Sequence, residues 1–182
     1  KVSKDLIPYI ENLLGVISVL SLYFDLRELN KNLFLNFKPT TGRGNVSTIK
    51  IRNKSFKLVD ESYNSNPLSI KFSINRFSSM NTIKNKKILL LGDMLELGKF
   101  SKKLHKDIPG VINNSKVDKV YVFGRYIKQV FNKIKTHKKG RILNSIKDVE
   151  NFINLEIKDK EYLMVKGSNS TGLNKLIRNY TK

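Results

Sequence analysis

The run "KKILLLGD" at residues 86–93 constrains the fold more than any other stretch. Four consecutive apolar residues ending on glycine leave no polar face, so both sides of the segment need cover. Such a strand belongs inside a parallel sheet flanked by helices. "KVYVFG" at 119–124 and "EYLMVKGS" at 161–168 have the same form, and "RIL" at 141–143 reads as a weaker strand. The spacing between them predicts helices over 101–114 (interrupted or bent near Pro109), 125–135 and 146–155, with a last one over 171–180. Strand–helix alternation of this kind predicts an α/β fold, a doubly wound and mostly parallel sheet.

Upstream, "VSTIKI" and "FKLV" alternate apolar and polar residues around "RNKS", which predicts a hairpin. A helix is expected over 67–80, with Pro67 in its first turn and Leu68, Phe72 and Phe77 buried. Ile10, Leu13, Leu14, Ile17 and Leu20 have helical spacing within 9–24, and a second short helix is expected over 26–34. "KPTTGRGN", with Pro39, Gly42 and Gly44, reads as a linker. The expected organisation is a helical piece at 1–41, a hinge at 42–45 and an α/β domain at 46–182.

In a doubly wound sheet the functional groups gather beyond the C-terminal strand ends. The tips are "DESYNSNP" (60–67), "GDMLELG" (92–98), "FGR" (123–125) and "KGSNS" (166–170), expected along one edge. Asp60 and Glu61 are acids at a strand end, suited to ribose hydroxyls or to capping the next helix. Tyr63 offers a flat ring for a base or for the core, and Asn64 and Asn66 suit a ligand or their own loop. Arg43, between two glycines, is a mobile cation or a surface one. Lys166, Ser168 and Ser170 suit an anion at a strand-to-helix turn. Asp93 and Glu96 read as loop architecture rather than a metal pair, and His105 as a supporting residue.

Composition removes other classes. The 182 residues contain no cysteine, which excludes disulfides and thiolate metal sites and suits a reducing cytoplasm. His105 and His137 stand far apart, with no metal-ligand spacing around them. The apolar stretch at 13–24 is short of the ~20 residues that span a bilayer. The formal charge is +20, but the basic residues are spread along the chain, with one denser patch at 133–141. No zinc-finger, basic-zipper or aromatic RNA-binding pattern accompanies them, so the charge by itself is a poor argument for nucleic acid.

Taken in order, "DESYNSNP", "LLLGDMLELG" and "VKGSNS" resemble the C-terminal half of a Mur ligase, of the D-alanyl-D-alanine-adding (MurF) type. The corresponding family strings are approximately DDSYNANP, LGDMLELG followed by a histidine, and KGSRS. The chain departs from them at Glu61, Ser65 and Asn169, and carries Pro8 where the family has a histidine. "GRG" at 42–44 resembles the family hinge and "NLLGVISVL" at 12–20 a helix of the central domain. The resemblance implies a Rossmann-like C-terminal domain preceded by the helical end of the central ATPase domain. It implies ATP and Mg2+ as cofactors, and UDP-N-acetylmuramoyl-tripeptide and D-alanyl-D-alanine as substrates. ATP contacts are implied for Asn12, Arg43, Asp60, Glu61 and Tyr63, and dipeptide contacts for Asn64, Asn66, Lys166, Ser168 and Ser170. No metal ligand and no catalytic residue is expected here. The G-x-x-x-x-G-K-[ST] phosphate loop is absent from these residues, so the chain is expected to be a fragment, inactive alone. Two other classes stay open: a basic nucleic-acid-binding module, and a non-catalytic nucleotide-binding or interaction domain.

Overall fold

The computed structural model describes residues 9–36, 40–82 and 85–181. The chain divides into two compact units, 1–40 and 41–182. In the first, helix α1 spans Ile10–Leu20. A single 3-10 turn, Leu26–Glu28, stands where a longer helix was expected over 26–34. Asp25 caps that turn and pairs with Arg27, which favours a local turn over helix propagation. Pro8 lies outside the described residues.

The second unit is a six-stranded sheet in the order β1-β2-β6-β3-β4-β5. Its strands are β1 (Asn45–Ile51), β2 (Lys54–Glu61), β3 (Lys87–Gly92), β4 (Lys119–Phe123), β5 (Lys139–Leu143) and β6 (Tyr162–Lys166). β1 pairs with β2 in an antiparallel hairpin; the β2–β6, β6–β3, β3–β4 and β4–β5 pairs are parallel. Every residue of β3 is buried, as its unbroken apolar run requires.

Helices cover both faces. Val59, Leu89, Leu91, Val120, Val122 and Met164 pack against α2 (Pro67–Ser79), α4 (Ile108–Asn113) and α5 (Ile127–Val130). The alternate residues, among them Leu58, Leu90 and Val165, pack against α6 (Ile146–Asn151) and α7 (Leu173–Thr181). The period-2 alternation of strand side chains thus builds two cores from one sheet.

The helix expected over 101–114 is interrupted near Pro109, as anticipated, into α3 (Ser101–His105) and α4, where the missing N–H of Pro109 suits a first turn. Other helices differ from their sequence-based spans. The helix over 125–135 shortens to α5 and a 3-10 turn, Phe131–Lys133. Leu68 and Phe72 are exposed, at 80% and 53%. The buried stripe of α2 is instead Ile70, Ser73, Ile74 and Phe77, spaced i, i+3, i+4, i+7. Leu68 and Phe72 are also four apart, so spacing alone could not choose between the stripes.

Candidate functional site

The last strand, β6, inserts between β2 and β3. The chain leaves β2 into α2 on one face, and leaves β6 into α7 on the other. Such a reversal opens a crevice at the strand ends. Because β2, β6, β3 and β4 run parallel, the loops at 62–66, 167–170, 93–97 and 124–126 share that edge.

Neighbouring acids at the tip of β2 have different fates. Asp60, 1% exposed, lies on the α7 side with Phe56 and Leu58. Its Oδ1 accepts from the backbone and hydroxyl of Ser62, and Asn174 donates to that hydroxyl at 3.1 Å. Glu61 points to the α2 side, toward Arg76 at 3.5 Å and Lys166 at 3.9 Å. Burial raises the Glu61 pKa against the opposing pull of Lys166 and Arg76. Burial likewise lowers that of Lys166, against the pull of Glu61.

Lys166 is itself buried, and its ammonium donates to the carbonyl of Asn64 at 2.7 Å. Ser168 joins three loops: its backbone N–H donates to Asp93 at 3.0 Å, its hydroxyl accepts from Leu95 N–H at 2.8 Å and donates to Ser65 at 3.3 Å. Asn66 caps α2: its Oδ1 accepts from Ser69 N–H at 2.7 Å, while the Ser69 hydroxyl accepts from Asn66 N–H at 3.0 Å. Tyr63, Asn64, Asn66 and Ser170 are exposed along the rim.

The segment 42–44 packs on this tip. Gly44 N–H donates to Asp60 at 2.8 Å and Tyr63 N–H to Gly42 at 3.2 Å. Both glycines have positive φ, 85° and 89°, and a Cβ on Gly42 would lie 2.7 Å from that of Tyr63. The Arg43 guanidinium stands 4.9 Å from the centre of the Tyr63 ring. Arg76 ties segment and acid together by also donating to Gly44 O at 3.2 Å. Asn12 is exposed on α1, in the other unit.

Beside β3, Asp93 caps α5, accepting from the N–H groups of Arg125, Tyr126 and Ile127 at 2.8–3.2 Å. His105 is buried; its Nε2 accepts from Met94 N–H at 3.1 Å and its Nδ1 meets Ser101 O at 2.6 Å. That pair of contacts selects the neutral Nδ1–H tautomer, a loop support rather than a base. Among the described residues no cluster of three His, Cys, Asp or Glu could hold a metal ion.

Sequence reading gathered these loops but missed Arg76 and Asn174. Both lie on helices whose polar positions carry no motif, and only the fold brings them to the tip.

The family model "Mur ligase, glutamate ligase domain" matches residues 46–169. A UDP-N-acetylmuramoyl-tripeptide–D-alanyl-D-alanine ligase of Rickettsia prowazekii (strain Madrid E) is 25% identical over 179 residues, covering 96% of this chain and 38% of the relative. A ligase of the same name from Buchnera aphidicola subsp. Acyrthosiphon pisum is 33% identical over 129 residues, 69% of this chain and 27% of the relative. The chain therefore spans well under half the length of these relatives. The fold is shared with a MurF ligase of Thermotoga maritima solved with ADP, at 23% identity and a TM-score of 0.65, covering 92% of this chain and 35% of that one. A MurF of Acinetobacter baumannii superposes with a TM-score of 0.68 at 22% identity, over 91% and 36%. With the family model covering most of its α/β unit, the chain belongs to the Mur ligase family.

Proposed function

We propose that this chain is the C-terminal part of an ATP-dependent ligase that adds D-alanyl-D-alanine to UDP-N-acetylmuramoyl-tripeptide in the cytoplasm, supplying peptidoglycan precursor. The observation that carries this reading is the gathering of four polar loops around Glu61 and Lys166 at the switch point of the sheet. The relatives' names supply the substrates.

In this reaction the tripeptide carboxylate attacks the γ-phosphorus of ATP, releasing ADP and leaving an acyl phosphate. The amine of D-alanyl-D-alanine attacks the acyl carbon, and phosphate leaves as the amide forms and the amine proton departs. Such chemistry depends on positioning and charge stabilisation. The residues here fit the nucleoside end of ATP: acid, ring and cation are present, while the sequence contains no phosphate loop and the described residues no metal cluster. Domains outside 1–182 would hold the triphosphate and Mg2+. Residues 42–45 would act as the hinge between the piece at 1–41 and the domain at 46–182.

Glu61 is the better ribose acceptor, because Asp60 is buried and engaged with Ser62. Tyr63 and Arg43 would flank the nucleotide, and Asn12 is proposed as a further ATP contact. Asn64, Ser170 and Lys166 would meet the dipeptide, while Ser168 and Asn66 hold the loops in shape.

The test is Glu61→Ala in the complete ligase. A rise of roughly tenfold or less in the ATP KM is expected, the worth of one or two lost hydrogen bonds. Unchanged KM and turnover in a folded variant would reduce the tip of β2 to architecture.

A further inference from the structure

We propose that the opposite, N-terminal edge of the sheet carries a separate anion-binding cavity for a small diphosphate-bearing ligand. The cavity measures about 460 Å³ and is lined by Lys86, Lys116, Lys119, Lys138 and His137, with Asp118 its one carboxylate. It lies where β3 and β4 begin, and owes nothing to the ligase reading. Strand length puts it roughly 15 Å from the polar loops.

The cavity wall is pre-formed. The Lys138 ammonium, on a buried residue, donates to Ser115 O at 2.6 Å and Val117 O at 2.8 Å, fixing the loop that presents Lys116. Lys116 N–H donates to the Ser78 hydroxyl at 2.7 Å, and Val117 N–H to that of Ser115 at 3.3 Å. Lys119 donates to Lys139 O at 3.0 Å. An ammonium has three donors, so Lys119 and Lys138 keep some for a ligand. Pre-organisation lowers the ordering cost of binding.

The charge here lacks balance. Asp118 is already engaged, accepting from Lys87 N–H at 2.7 Å. A neighbouring cavity of about 170 Å³ shares Lys86 and Lys119, but Glu156 and Glu161 also line it. The larger cavity has no such pair. Burial first, and then Lys116, lowers the pKa of Lys87; burial and then Lys135 does the same to Lys138. Part of each shift is repulsion from a neighbouring cation.

Lysines bind phosphate as point charges, and the volume lies in the range of small-ligand sites. A diphosphate supplies at least two negative charges in a small volume. It could be free pyrophosphate or the diphosphate of a nucleotide, and the experiment separates them.

The 182-residue chain is titrated with pyrophosphate and, separately, with ADP at about 50 mM salt, where screening is modest. Calorimetry gives affinity and amide chemical shifts give location. Saturable one-to-one binding of pyrophosphate is expected, with shifts at 86, 116–119 and 137–138. Lys86→Gln and Lys116→Gln should each weaken it by roughly five- to tenfold, about one charged hydrogen bond. Lys102→Gln and Lys103→Gln, exposed on α3, should leave it unchanged. Equal affinity for ADP at these amides marks the diphosphate as the recognised group, and tighter ADP binding there marks a nucleotide. Shifts by ADP at 60–66 belong to the strand-tip site and are counted apart. The proposal fails if neither probe saturates at these amides, or if Lys102→Gln costs as much as Lys116→Gln. It fails equally if an RNA oligomer engages these residues while both probes do not. None of these failures bears on the ligase reading.

Discussion

Lys166 donates from its buried ammonium to the backbone carbonyl of Asn64 at 2.7 Å, joining the end of β6 to the loop that follows β2. The same ammonium stands 3.9 Å from Glu61. Lys166→Met would leave the half-buried Glu61 carboxylate to Arg76 and strip the Asn64 carbonyl of its donor. A loss of about 2–4 kcal/mol is expected in urea unfolding, with Lys166→Arg losing less. Equal stability of Lys166→Met and the parent chain would show that the pair supports nothing.

Lys166 also has a pH signature. Burial, opposed by Glu61 and aided by Arg43, lowers its folded pKa from 10.5. Between the folded value and 10.5 the unfolded chain binds more protons, so this group's contribution to stability rises with pH. The stability of the parent chain relative to Lys166→Met should therefore increase as pH climbs toward 10.5. A difference that stays flat or falls over that window contradicts the burial argument.

Asp93 accepts from three successive N–H groups at the start of α5. Asp93→Ala should cost about 2–3 kcal/mol, more than an ordinary exposed cap. Gly124→Ala should destabilise through the same contact: its φ is 138° and an added Cβ would lie 2.5 Å from Asp93 Cγ. Thermal unfolding of the two variants measures both effects.

The isolated 182-residue chain should release no phosphate from ATP above background, because it contains no phosphate loop. A coupled phosphate assay on the purified chain, with and without D-alanyl-D-alanine, checks this.

Strong local patterns were legible in the sequence. The unbroken run of β3 announced a two-sided core, and Pro67 the first turn of α2. Helix faces were less so. Leu68–Phe72 and Ile70–Ile74 have the same spacing, and only packing on Val59 and Leu89 chooses the second. The loops of the strand-tip site were found from their polar residues and glycines. Their division of labour was not, because it depends on the pleat, which sends Asp60 toward Asn174 and Glu61 toward Arg76 and Lys166. Arg76 had no local signal: its partners, Gly44 and Glu61, are 32 and 15 residues away.

The most direct measurement is product formation by the complete ligase to which this chain is assigned. It is incubated with ATP, Mg2+, UDP-N-acetylmuramoyl-tripeptide and D-alanyl-D-alanine, and followed by mass spectrometry and phosphate release. One pentapeptide product per phosphate, dependent on both substrates and reduced at low ATP by Glu61→Ala, is the expected result. A folded enzyme that forms no pentapeptide, or forms it with the ATP dependence of Glu61→Ala unchanged, contradicts the assignment of the chain or of its site respectively.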